Sequence, residues 1–151
     1  MNAFSRRLRL LPMLACLAAV GSAHAVDFRS VGTSPAIMYD APSEKGRKVF
    51  VAPRGMPVEV VLAYGEWIKV RDAGGDLAWV ESRTLVPKRM LVVTAASGKV
   101  RAVADESAPL VLSAERGVLL ELAEPVASGW VKVRHRDGIG GFIKATDVWG
   151  D

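Results

Sequence analysis

Acid–base or nucleophilic chemistry near neutral pH needs side chains that titrate there. Apart from the chain's amino end, this sequence offers Cys16, His24 and His135. His135 follows Val131-Lys132-Val133-Arg134 and precedes Arg136-Asp137-Gly138, the end of a strand entering a hairpin, a place for an exposed histidine and not for a general base. The carboxylates are no better placed. Asp72 and Asp76 flank a glycine turn, and Asp105-Glu106 falls in a polar loop; such residues hold turns, whereas paired catalytic acids need a walled cleft that raises one pKa. Asp137-Gly138-Ile139-Gly140-Gly141 is glycine-rich, but a strand follows it, not the helix whose N-terminus would take a phosphate. No catalytic residue, metal ligand set or cofactor site is expected. What remains is contact chemistry: Trp67-Ile68-Lys69-Val70-Arg71 places an indole and two cations at alternate positions, and Trp130-Val131-Lys132-Val133-Arg134 does the same.

Two of the three titrating groups are expected to leave the protein. Residues 1–25 have a basic start with Arg6, Arg7 and Arg9, an apolar stretch from Leu10 to Val20, and an Ala23-His24-Ala25 end. That is the plan of a secretory signal peptide, with an apolar stretch too short to span a bilayer. Cleavage before Val26 removes Cys16 and His24, and no disulfide or thiolate chemistry is left. Acylation at Cys16 and a twin-arginine route at Ser5-Arg6-Arg7 are weaker readings of the same segment. The formal charge of +4 rests mostly on this leader: without its three arginines, 17 of the 20 bases face 16 acids. A periplasmic or secreted, nearly neutral protein follows. Neither nucleic-acid binding, which rests on many phosphate contacts, nor stable membrane insertion after cleavage is expected.

The elements that must present the tryptophans come from a duplication. Gly65–Arg71 matches Ser128–Arg134 at an offset of 63 residues, and Arg54-Gly55 and Val58–Val60 match Arg116-Gly117 and Leu120–Leu122 at 62. The one-residue difference falls between Ala63 and Gly65, where a loop would absorb it. Short strands separated by turns are predicted: Lys48–Ala52, Pro57–Ala63, Trp67–Arg71, Leu77–Glu81 and a segment at Leu85, with Val58, Val60 and Leu62 pointing inward and Glu59 outward. No stretch of helical periodicity follows residue 26. The reading is all-β: a first small barrel over 26–86, a linker at 87–89 and a second barrel over 90–151, each antiparallel with about five strands.

In the first unit, Val51-Ala52-Pro53-Arg54-Gly55-Met56-Pro57-Val58-Glu59-Val60, then Tyr64–Asp72, then Ala78-Trp79-Val80, resemble the bacterial SH3 domain (SH3b, Src-homology-3-like), especially a subgroup of exported proteins. In the second, Val93-Thr94-Ala95, Val100-Arg101, Gly129–Arg134 and Gly141-Phe142-Ile143 resemble its more general form. The resemblance implies a five-stranded barrel that binds and does not catalyse, often a module that targets the cell wall or binds peptidoglycan peptides. Trp67 and Trp130 stand where the family has the tryptophan that opens its central strand, and Tyr39-Asp40 matches the opening aromatic motif. Glu81-Ser82-Arg83-Thr84 replaces the Pro and groove Tyr of eukaryotic relatives, so recognition of proline-rich peptides is not carried over. Ala78 stands where the second unit keeps the usual glycine, Gly141.

Strand periodicity puts Ile68 and Val70 in the barrel and Trp67, Lys69 and Arg71 outside. The candidate ligand-binding residues are Tyr39, Tyr64, Trp67, Lys69, Arg71, Trp79 and Trp130. The first unit is the richer in aromatics, since Tyr39 corresponds to Arg101 and Tyr64 falls near Val126 or Ala127. The plain structural alternative is that these rings are core and loop anchors. The expected ligand is a cell-wall stem peptide or a segment of an envelope protein. Two other readings remain: an assembly protein whose outer tryptophan faces meet a partner, and a small cell-wall hydrolase. Oligomeric state is open.

Overall fold

Valine-rich runs of four to nine residues, broken by glycine and proline turns, cannot bury both faces alone and must pair with their neighbours. In the computed structural model, which describes residues 25–151, they pair into two sheets of seven strands, every pair antiparallel. The first comprises β1 (Phe28–Val31), β2 (Ala36–Tyr39), β3 (Lys48–Ala52), β4 (Pro57–Tyr64), β5 (Trp67–Arg71), β6 (Leu77–Glu81) and β7 (Leu85–Val86), in the order β3-β2-β6-β5-β4-β1-β7. The second repeats it with β8 (Met90–Val93), β9 (Ser97–Arg101), β10 (Leu110–Glu115), β11 (Leu119–Ala127), β12 (Trp130–Arg134), β13 (Gly140–Lys144) and β14 (Val148–Trp149), in the order β10-β9-β13-β12-β11-β8-β14. A 3-10 turn precedes the last strand of each, at Ser82–Thr84 and Ala145–Asp147. The expected leader, with Cys16 and His24, lies outside the described residues.

The all-β tandem architecture is as the sequence predicts, and short strands add to the count of five. β1 has Arg29-Ser30 at its centre, which hides it from a hydrophobic pattern. Its Ser30 is buried all the same, and its hydroxyl accepts a hydrogen bond from the Met90 amide, 3.2 Å away in the other unit.

One side-chain direction is corrected. Leu62 does not point inward: it is 44% exposed, because a bulge at Val61 shifts the register from Val60↔Val70 to Leu62↔Lys69. Two residues of β4 there oppose one bond of β5, so all later side chains change face. The second unit has the same bulge between Leu122 and Glu124, and a further one between Glu124 and Ala127, beside Pro125. The extra residue of the second repeat therefore sits within a strand, not in a loop.

Each unit has its own core. Val31, Met38, Val58, Ile68, Val70, Val80 and Leu85 fill the first, and Leu91, Val93, Val100, Leu120, Val131, Val133, Ile143 and Val148 the second. Full burial of one such side chain contributes roughly 1.5–3 kcal/mol, and a sixty-residue unit has few of them. The units also hold each other. The Arg89 guanidinium lies 5.4 Å above the Phe28 ring and donates through Nη2 to the Gly150 carbonyl at 2.8 Å. Phe28 meets Trp149 edge-on at 4.9 Å. Gly150, at φ 115°, runs so close to the Met90 carbonyl that a Cβ there would sit 2.7 Å from it. The first strand of one unit and the last of the other are thus clasped around the linker's arginine.

Candidate functional site

On β5 every second residue is buried, so Ile68 and Val70 enter the core and Trp67, Lys69 and Arg71 lie half-buried on the outer face. Pairing decides what stands beside them. Across β4–β5, Tyr64 opposes Trp67, Leu62 opposes Lys69 and Glu59 opposes Arg71. Across β5–β6, Trp79 opposes Lys69, and β2 brings Tyr39 opposite Trp79. Six of the seven sequence candidates therefore share one face; Trp130 occupies the equivalent face of the second unit. Leu62 joins the group unannounced, because only the bulge turns it outward.

The members play different parts. Tyr39 is 6% exposed and meets the Trp67 ring edge-on at 5.4 Å, so it props that indole from below. Tyr64 is 67% exposed at the hairpin end. The Lys69 ammonium lies 5.9 Å from the Trp79 ring, within cation–π range. Arg71 is already neutralised, its Nη1 lying 3.0 and 2.8 Å from the two Glu59 oxygens. Lys69 has no carboxylate partner among the described residues.

The second unit repeats the frame and saturates it. Lys132 lies 6.0 Å from Phe142, as Lys69 does from Trp79, but Glu124 stands where the first unit has Leu62 and binds the Lys132 ammonium at 2.6 Å. Arg101, in the place of Tyr39, donates to the Ala108 carbonyl of its own loop. Lys144, opposite Trp130, pairs with Glu106. Trp130 thus sits among ions that satisfy one another.

The carboxylates that could have suggested catalysis are turn supports. Asp72 Oδ1 accepts from the amides of Gly74 and Asp76, each at 2.9 Å. The Ile139 amide, and then the His135 ring, hold the Asp137 carboxyl below the ordinary aspartate range. His135 Nδ1 is 2.9 Å from Asp137 Oδ2 but poorly aligned for a full hydrogen bond. Among the described residues no group of three or more His, Cys, Asp or Glu side chains could hold a metal ion, and no helix is long and apolar enough to cross a membrane.

Comparison with solved structures finds NlpC2 from Trichomonas vaginalis (10% identity, TM-score 0.39, covering 84% of this chain and 49% of that one). It also finds NlpC1 from the same organism (13%, 0.40, covering 92% and 51%) and an NlpC/P60 family protein from Bacillus cereus (16%, 0.38, covering 81% and 55%). This chain spans about half the length of each. No curated protein matches it in sequence. The family model of the bacterial SH3 domain matches twice, at residues 32–87 and 95–150, which hold β2 to β7 and β9 to β14 and leave out only β1 and β8, the first strand of each sheet. With most of its length in those matches, the chain belongs to the bacterial SH3 domain family and carries two such domains in tandem.

Proposed function

We propose that the protein is an exported, non-catalytic binding module of the cell envelope, and that the outer face of its first domain takes a peptide bearing a free carboxylate. The single observation carrying this reading is the contrast at Lys69. The same lysine in the second domain is capped by Glu124, whereas Lys69 stands among Leu62, Tyr64, Trp67 and Trp79 and makes no ion pair, the nearest acids of that face, Glu59 and Glu81, being taken by Arg71 and Arg83. An ammonium left unpaired within an aromatic and aliphatic surface suits a ligand that supplies both a carboxylate and apolar groups. Cell-wall stem peptides have that chemistry, and binding to cell-wall components is common among bacterial SH3 domains. Trp67 and Tyr64 stack on the peptide, Lys69 neutralises its carboxylate, and Tyr39 fixes the Trp67 ring.

NMR titration of the protein, from Val26 onward, with a muropeptide tests this. The expected result is saturable movement of the Trp67 and Trp79 indole resonances, lost in Trp67→Ala while the Trp130 resonance stays still. No movement at saturating muropeptide overturns the stem-peptide assignment, and turnover of peptidoglycan by the purified protein overturns the non-catalytic one. A second reading, assembly with a partner protein, is favoured by a different feature: the edge strand β3 leaves Val49, Phe50 and Val51 between 45% and 61% exposed. An unprotected apolar edge invites strand addition.

A further inference from the structure

The clasp around Arg89 leaves an open cleft of about 930 Å³ between the two domains, and none of its lining residues belongs to the tryptophan face of the first domain. Its lining is strongly unbalanced in charge. Arg54 comes from the turn between β3 and β4, Lys88 from the linker, and Arg134 and Arg136 from the end of β12 and the turn after it; Glu121 is the one acid. Glu121 is already held, 3.1 Å from both Lys88 Nζ and Arg134 Nη2. Arg54 and Arg136 have no carboxylate partner among the described residues. Between the cations the walls are apolar, with Val31, Val86, Met90 and Leu119.

Nothing in the fold itself requires this concentration of charge. The protein from residue 26 on is nearly neutral, with 17 bases and 16 acids, yet here four cations share the single carboxylate of Glu121, and Arg54 and Arg136 are left to meet an anion from outside. We infer that the interdomain cleft binds an acidic peptide segment, one that alternates carboxylate and aliphatic side chains. The carboxylates meet Arg54 and Arg136, whose planar guanidinium groups suit bidentate pairing, and the aliphatic groups lie on the half-buried Val86, Met90 and Leu119. A purely ionic ligand would leave those apolar walls uncovered. Because the domains are fixed by Arg89, Phe28, Trp149 and Ser30, the cleft is formed before the ligand arrives and little ordering cost falls on binding.

The test is NMR titration with three probes: a capped hexapeptide alternating glutamate and leucine, its glutamine–leucine counterpart, and tripolyphosphate. The glutamate peptide is expected to shift the Gly32, Gly55 and Gly117 amides, with affinity at least tenfold weaker in Arg54→Gln/Arg136→Gln and less than twofold changed in Trp67→Ala. Binding also weakens when salt is raised from about 50 to about 500 mM. Equal response to the glutamine peptide, salt-independent binding, or shifts confined to the Trp67 and Trp79 indoles overturns the assignment. So does tighter binding of tripolyphosphate, which would make the cleft a phosphate site. The readouts lie in the cleft, so they stand whether or not muropeptide binds the tryptophan face.

Discussion

Substituting Leu62→Glu should disable the tryptophan face without unfolding the domain that carries it. Glu124 binds Lys132 at 2.6 Å from the equivalent position on the equivalent bulged strand, so a glutamate at 62 has a ready geometry for capturing Lys69. Leu62 is 44% exposed; burial of the remainder contributes about 1 kcal/mol, since a fully buried leucine contributes roughly 1.5–3, and the glutamate's methylenes keep part of that. The new ion pair returns about 0.3–1 kcal/mol, as exposed pairs do. The two nearly cancel, and the thermal midpoint should move by less than about 3 °C. Ligand binding does not enjoy that cancellation. The carboxylate of the peptide loses Lys69, a charge-assisted contact worth about 1.5 kcal/mol, and faces a like charge as well. Muropeptide affinity should fall at least tenfold. Calorimetric unfolding and the indole titration, run on one sample, give both numbers. A folded variant that binds as tightly as the parent would refute the role of Lys69, and one that unfolds would refute the equivalence of the two bulged strands.

Other expectations follow from the same contacts. Ser128 takes φ 51°, a left-handed conformation that Asn tolerates better than Ser, so Ser128→Asn should raise stability by about 0.5 kcal/mol, seen as about 1–3 °C in the melting curve. Arg89→Gln should remove the cation–π contact with Phe28 and weaken the bond to Gly150, costing about 1–2 kcal/mol, and relaxation measurements should then find the two domains tumbling more independently. Gly141→Ala would drive a Cβ into the Arg101 backbone carbonyl as well as to 2.9 Å from Val100 Cγ1 and should cost about 3 kcal/mol, whereas the equivalent Ala78→Gly should cost about 0.5–1, by denaturant titration. Lys88, then Arg134, holds the Glu121 carboxyl below its ordinary 4.5. Its contribution is therefore complete above that value and is lost as pH falls through the lowered one. Between pH 5 and pH 3, Glu121→Gln should lose less stability than the parent does, by a few tenths of a kcal/mol, as exposed pairs contribute.

The sequence alone was enough for whatever depends on local order. The duplication at offsets of 62 and 63, the alternation on β5 and β12, and the glycine turns are all readable within a few residues, because strand period and turn chemistry are local properties. Hence the all-β tandem architecture, and the outward placing of Trp67, Lys69 and Arg71, could be had without coordinates. Which side chains meet across strands is a property of register, and register is decided by the partner. The Val61 bulge moved Leu62 from core to surface beside Lys69, as the matching bulge of the second domain brings Glu124 beside Lys132, and the two faces then differ by the type of that one residue. Likewise Arg71 reads as a free cation in sequence but is paired with Glu59, twelve residues earlier. The clasp of Arg89 with Phe28 and Gly150 joins positions 61 residues apart in either direction, and the basic cleft beside it draws on both domains. Those features were invisible in the sequence because it records neighbours along the chain, whereas electrostatics and packing act between neighbours in space.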